Sequence, residues 1–305
     1  MTQVTAENRA RYQKLARRLD ALPHGFPPTD DGIELRLLAK LFTPEEAELV
    51  AQLRLTPESH RDLAKRLDRD PRALRRQLKD LVRRGLITVG RAERGMGYRL
   101  LPFVVGIYEM QVATIDAELA QLFESYYRQA FQQAVTWEPP VHRVVPIHES
   151  VGASLEIRPY ESVIAIVEEA AAWGVTDCIC RLQQALIEHP CEHPVEVCMV
   201  LSDRPGAFDG QDSVRALTLD EAKATLRRAA DAGLVHSVSN TRRGLGYVCN
   251  CCTCACGILR GIAEVGIEHT IARAPFHSQV DAEACIGCGL CAERCPFGAV
   301  TVDEA

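Results

Sequence analysis

Cysteine is missing from the first 177 of the chain's 305 residues, although thirteen follow. Thiolate-bound metal is thereby excluded from the N-terminal half and concentrated in the C-terminal half. A long apolar run is missing too: no stretch approaches the roughly 18 residues that a membrane span requires. The opening "MTQVTAENRARYQKLARRL" is polar, unlike the apolar centre of a secretory signal. A soluble, cytoplasmic protein is expected, and in that compartment disulfides seldom persist, so the thiols need another role. The chain also lacks a G-x-x-x-x-G-K-S/T phosphate loop, an H-E-x-x-H helix and a Ser/His/Asp arrangement. "GRAERGMG" has no strand-to-helix setting for a dinucleotide. Stand-alone hydride transfer and hydrolysis therefore find no support, and electrons would have to come from and go to partners.

What is present is sulfur, in three groups. Cys178, Cys180, Cys191 and Cys198 come first, then Cys249, Cys251, Cys252, Cys254 and Cys256, then Cys285, Cys288, Cys291 and Cys295. The last group, "CIGCGLCAERCP", reads C-x2-C-x2-C-x3-C-P, a spacing that wraps thiolates around the irons of a cube. Gly287 and Gly289 let the backbone approach the sulfurs. Short strands are expected on either side, in "SQVDAEA" and "AVTVDEA". Over residues 276–305 the chain resembles the bacterial [4Fe–4S] ferredoxin domain.

In two-cluster ferredoxins this run occurs twice, and the Cys before the proline serves the other cluster. Here it occurs once. The resemblance implies that Cys285, Cys288 and Cys291 take a fourth ligand from upstream, while Cys295 joins a second cluster. The five thiols of "CNCCTCAC" are the expected source, with one to spare; a zinc site there is the alternative. The first group suits either a third [4Fe–4S] cube or zinc, since His189 and His193 flank Cys191. Arg181, beside the first hook, would offset a cluster's negative charge.

The N-terminal half carries helix signals. Thr43, Pro44 and Glu46 make a capping box with proline at the first helical position. Farther on, Asp70 caps a helix with Pro71 behind it, Gly85 closes it, and Leu74, Leu78, Leu81 and Val82 form one apolar stripe. Arg72, Arg75, Arg76, Lys79 and Arg83 occupy its other faces. Strands are expected at 86–89 and 98–100, with Gly90 to Gly97 as their loop. Residues 43–101 resemble the winged-helix domains of bacterial transcriptional regulators. Residues 51–101 hold fourteen Lys and Arg against six Asp and Glu, whereas the whole chain is at −6. That contrast suits a phosphate-contacting element or an ordinary solvated face.

The expected class is α+β. A helical winged-helix domain spans 1–102. A long connecting helix and a Pro-rich linker ("WEPPVHRVVPIHES") span 103–150. An α/β middle region spans 151–248, and a ferredoxin-like domain 249–305. Leu119, Leu122, Phe123, Tyr126, Tyr127 and Ala130 stripe the connecting helix, for a core or a homodimer interface. "ESVIAIVEEAAAWG" should be a helix leading into the first thiols, and Thr218 with Glu221 should cap another. "RGMGY" at 94–98 returns as "RGLGY" at 243–247, which suggests a second hairpin presenting the cysteines. Function is expected to be electron transfer between redox partner proteins, as a component of an oxidoreductase system, through two or three [4Fe–4S] clusters. The alternative is a redox- or iron-sensing regulator that binds DNA through residues 56–101.

Overall fold

The computed structural model describes residues 4–23, 25–93, 95–132, 139–147, 162–241, 244–267, 270–272 and 278–302. Helices and sheet make an α+β chain that divides into two units, 1–134 and 135–305.

In the first unit, helices α1 (Ala6–Asp20), α2 (Ile33–Leu41), α3 (Pro44–Val50), α4 (His60–Leu67) and α5 (Pro71–Arg83) precede a hairpin of β1 (Thr88–Ala92) and β2 (Gly95–Arg99). Side-chain caps start three of them. Thr43 and Glu46 form the capping box of α3, Ser59 accepts from the Asp62 N–H, and Asp70 accepts from the N–H groups of Arg72 and Ala73. Leu74, Leu78 and Leu81 are buried on α5, while Arg72, Arg75, Arg76, Lys79 and Arg83 are exposed. Gly85 ends the helix at φ +69°, a backbone that favours glycine.

The hairpin is longer than its glycines suggest. Gly90 and Gly97 face each other across the ladder as strand residues, not as loop. A Cβ on Gly97 would lie 2.8 Å from the Glu58 nitrogen, and one on Gly90 would lie 2.7 Å from Pro57 Cγ. Glycine is there because segment 57–58 packs directly against the hairpin, bonded through Glu58 to Tyr98.

The expected long connecting helix is broken. Residues 104–106 leave helical backbone, and α6 (Ala117–Tyr126) begins only where Asp116 caps it through the Leu119 N–H. A wide turn, Tyr127–Phe131, follows. The apolar stripe is core: Tyr108 stacks on Phe123 with centroids 3.8 Å apart, and Phe26 lies 4.5 Å from Phe103 and 4.9 Å from Tyr126. A boundary at 102 would cut through this cluster.

The second unit holds a seven-stranded sheet of β3 (His142–Val144), β4 (Ala172–Asp177), β5 (Glu196–Ser202), β6 (Arg215–Leu217), β7 (Val235–Ser239), β8 (Tyr247–Cys251) and β9 (Ile271–Ala272), in the order β6-β4-β5-β8-β7-β3-β9. Among the described residues, only the β3–β9 pairing is parallel. Helices α7 (Val163–Glu168) and α9 (Leu219–Asp231) bury Val163, Ile166, Val167, Ala222 and Leu226 against Val175, Met199, Leu201, Val238 and Val248. Thr218 and Glu221 form the capping box of α9. Two further helices, α8 (Ile179–Leu186) and α10 (Gly257–Val265), start at cysteines.

Several expectations change here. The helix expected over "ESVIAIVEEAAAWG" stops at Glu168, and its end, Ala172–Gly174, opens strand β4, which pairs with β5 on one side and β6 on the other. The Pro-rich linker supplies β3, and residues 137–138 and 148–150 of that stretch lie outside the described residues. The boundary at 248 falls inside β8. β7 and β8 do form a hairpin that ends in the cysteines. No strand occurs at 278–284 or 299–302 among the described residues. Asp281 instead turns the chain, accepting from the Glu283 N–H through its side chain and from the Cys285 N–H through its carbonyl. No helix among the described residues is long and apolar enough to cross a membrane.

Candidate metal centre

Nine thiols gather where β4 and β8 finish and β5 starts. On β5, Val197, Met199 and Leu201 are buried in the cores, so Cys198 points the other way. On β8, Val248 is buried in the main core, which puts Cys249 and Cys251 on the opposite face. The other three of the first set come from helix starts: Cys178 and Cys256 occupy the N-cap positions of α8 and α10, and Cys180 sits in the first turn of α8. A helix N-terminus favours a thiolate.

These six close into a ring. Hydrogen bonds link Cys178 to Cys180 and Cys198, Cys180 to Cys256, Cys256 to Cys251 and Cys251 to Cys249, while Cys249, next in register on the paired strand, reaches Cys198 through its charge. Hydrogen bonds from Cys180 and Cys198 hold the Cys178 thiol well below its ordinary range. Those from Cys180 and Cys251 do the same for Cys256, with the Leu259 N–H and His142 adding to them. Hydrogen bonds with Cys178 push up Cys180 and Cys198, those with Cys249 and then Cys256 push up Cys251, and burial reinforces each shift. All thirteen cysteines are free thiols.

A second set lies beside the ring. Cys191 and His193, from the loop between α8 and β5, meet Cys252 and Cys254, from the turn after β8. Their four ligand atoms lie within 4.8 Å of one another. Cys191 Sγ is 3.0 Å from His193 Nδ1, 3.7 Å from Cys252 Sγ and 3.1 Å from Cys254 Sγ, and Cys254 Sγ is 3.8 Å from His193 Nδ1.

Arg181 stands between the two sets. It is 1% exposed, and its guanidinium donates to the Pro194 carbonyl at 2.9 Å and the Asn250 carbonyl at 3.0 Å. Burial works against its charge, but Cys178, Cys252 and Cys198 outweigh that and raise its pKa. Its Nε has no hydrogen-bond partner among the described residues. A buried cation facing thiols from both sets, with one donor unmet, suits negatively charged sulfur centres.

The surrounding polar groups are fixed. Asn250 donates to the Val197 carbonyl at 2.6 Å, and its side-chain oxygen lies 2.6 Å from His236 Nδ1, which ties β5, β7 and β8 together. His142, 2% exposed, reaches Ser237 Oγ at 3.3 Å and the Tyr247 hydroxyl at 2.9 Å. Ser237 Oγ lies 3.9 Å from Cys251 Sγ.

The C-terminal run is different in kind. Cys285, Cys288 and Cys291 are exposed, and Cys295 is half-buried. Backbone N–H groups of Phe297, Ala299, Val300 and Gly298 lower the Cys295 pKa, the Ala299 nitrogen lying 3.3 Å from the sulfur. Gly287 and Gly289, at φ +67° and +75°, carry the loop into a short helix, α11 (Leu290–Arg294). Arg294 donates to the carbonyls of Ala230 and Asp231 at the end of α9.

The structure thus regroups the sequence clusters. The first two interleave into a six-thiol ring and a three-thiol-plus-histidine set, and each of the five thiols in "CNCCTCAC" meets thiols of its own stretch or of 178–198. The expected pairing of this stretch with 285–295 is replaced by those contacts. His193 joins a ligand set, as one of the two histidines flanking Cys191. His142, Ser237, Asn250 and Tyr247 carry no motif in the sequence beyond the "YVCNC" alternation, which sets Cys249 and Cys251 on one face with Tyr247.

Comparison with known families gives two partial matches. Residues 278–301 match the 4Fe-4S binding domain family, and residues 41–100 match the family HVO_A0114. No curated protein and no solved structure matches. The C-terminal run therefore belongs to an iron–sulfur domain. Its four thiols, and the free buried thiols upstream with their facing cation, fit iron–sulfur ligation.

Proposed function

We propose that this chain is an electron-transfer protein of an oxidoreductase system, passing electrons between protein partners through [4Fe–4S] chemistry. The observation that carries the reading is the ferredoxin-type run with three exposed thiols, in the same unit as a six-thiol ring of buried and half-buried cysteines. Iron–sulfur clusters supply reversible one-electron chemistry, with potentials set by charge, hydrogen bonds to sulfur and solvent exposure. Cys285, Cys288, Cys291 and Cys295 would hold a cluster at the surface, where a partner can approach. The ring of Cys178, Cys180, Cys198, Cys249, Cys251 and Cys256 would hold a further centre in a drier setting. Six thiols exceed the four of one cube, leaving room for a larger centre or for two spare sulfurs. Arg181, the starts of α8 and α10 and the Cys295 cradle would offset negative charge. The first unit, read as a winged-helix domain, would dock a partner. The test is EPR on anaerobically purified full-length protein, before and after dithionite. Reversible reduced-cluster signals, from centres at distinct potentials, are expected. A protein that contains iron but is not reduced, or is destroyed on the first cycle, would falsify the relay.

A second reading draws on the basic exposed face of α5 beside the β1–β2 hairpin: a regulator that contacts DNA through Arg72, Arg75, Arg76, Lys79 and Arg83. Promoter-specific retention at physiological salt would favour it. Weak, sequence-indifferent binding that vanishes with salt would leave the relay standing.

A further inference from the structure

We propose that Cys191, His193, Cys252 and Cys254 bind a single zinc ion that staples the wall of the thiol ring and takes no part in electron transfer. The ligand set is separate from the ring and from the C-terminal run, so the assignment stands or falls independently of the relay.

Spacing is the first argument. With Zn–S about 2.3 Å and Zn–N about 2.0–2.1 Å, a tetrahedron has edges of about 3.8 Å between sulfurs and about 3.6 Å between sulfur and nitrogen. Cys191–Cys252 at 3.7 Å and Cys254–His193 at 3.8 Å are close to those edges, Cys191–His193 at 3.0 Å and Cys191–Cys254 at 3.1 Å are tighter and would open by about 0.6–0.7 Å around an ion, and all four ligand atoms lie within 4.8 Å of one another. A cube, with each thiolate on a different iron, needs its ligands spread much wider. Ligand type is the second argument: three thiols and one imidazole make the Cys3His set of structural zinc sites. All four zinc positions are filled from the chain, which leaves none open for substrate or water.

Placement supplies the third argument. C-x-H in the loop before β5 and C-x-C in the turn after β8 are short hooks more than fifty residues apart in sequence. Between them they join the segments that carry Cys198 on one side and Cys249, Cys251 and Cys256 on the other. Arg181 fits the resulting charge. Three thiolates and one imidazole around Zn2+ leave a net charge of −1, and the guanidinium faces Cys252. Binding deprotonates the three thiols and releases their protons to solvent. Zinc is redox-inert, so the site can hold this corner rigid while the neighbouring centre cycles.

The test is metal analysis of anaerobically purified full-length protein, with cobalt as the spectroscopic probe. About one zinc per chain is expected beside the iron. Cys254→Ser, at the exposed ligand, and His193→Ala should each lower zinc to near zero with iron and sulfide unchanged. His193→Cys, which keeps four soft ligands, should restore it. Wild-type chain refilled with Co2+ should show the intense visible bands of tetrahedral thiolate-bound cobalt. If a variant also loses iron through misfolding, the wild-type zinc content and cobalt bands decide. Wild type with no zinc and no tetrahedral cobalt overturns the site. So does Cys254→Ser losing about four irons while remaining folded.

Discussion

Arg181 is the residue on which both thiol sets converge. Its head group is held by two backbone carbonyls and faces Cys178, Cys252 and Cys198. Arg181→Met removes a buried cation from thiolates that remain, and unpairing a buried charge of this kind costs about 3–5 kcal/mol. Denaturant unfolding of the variant should show a loss of that order. Its redox titration should show a lower midpoint for the ring centre, because reduction adds an electron where the positive charge was. An unchanged midpoint in a folded variant would show that the guanidinium serves only to anchor the loop. Arg181 was legible in the sequence, being adjacent to the first hook. The orphaned Nε and the contact with Cys252 were not, since they depend on a turn seventy residues away.

At the scale of elements, capping was the most legible feature. Thr43 with Glu46, Asp70, and Thr218 with Glu221 all act within one helical turn, so sequence spacing suffices to find them. Thr218→Ala should destabilise by about 1 kcal/mol in thermal unfolding. Gly90 and Gly97 look like loop in the sequence but stand in the ladder, because their reason is tertiary. Gly97→Ala pushes a methyl against backbone at Glu58, so a loss of about 1–3 kcal/mol is expected. Gly95→Ala meets nothing within 4 Å and suffers only its φ of +82°, at about 1–2 kcal/mol.

The β7–β8 hairpin carries a pH term. His236 lies on it, and burial lowers its pKa against the opposing hydrogen bond with Asn250. An unfolded histidine titrates near 6.5. The unfolded chain therefore takes up this proton first as pH falls. The contribution of neutral His236 is complete above about 6.5 and is lost as pH falls toward the lower folded value. As pH falls below about 6.5, wild type should lose stability faster than His236→Gln. Parallel pH profiles for the two would refute the assignment.

On the scale of the whole molecule, the sequence revealed where sulfur begins and that the last four thiols form a ferredoxin-type run. It did not reveal which thiols meet. Cys198, Cys249 and Cys251 come together through antiparallel pairing of β5 with β8, and Cys191 meets Cys252 through a loop laid over that pairing. Grouping by sequence proximity cannot recover contacts of that range. The long connecting helix failed for a related reason, since aromatic packing around Phe103 and Phe123 overrode a continuous helical pattern.

The central claim is that iron–sulfur chemistry occupies two places, an exposed C-terminal run and a buried ring. Its most direct test is iron and acid-labile sulfide per chain in full-length protein purified without oxygen, compared with the triple variant Cys285→Ser, Cys288→Ser, Cys291→Ser. The account predicts that the variant loses about four irons with matching sulfide and keeps the rest, the four being the content of one cube. Loss of all the iron would tie both places into one assembly, and no loss would mean the exposed run binds no cluster; either result would contradict it.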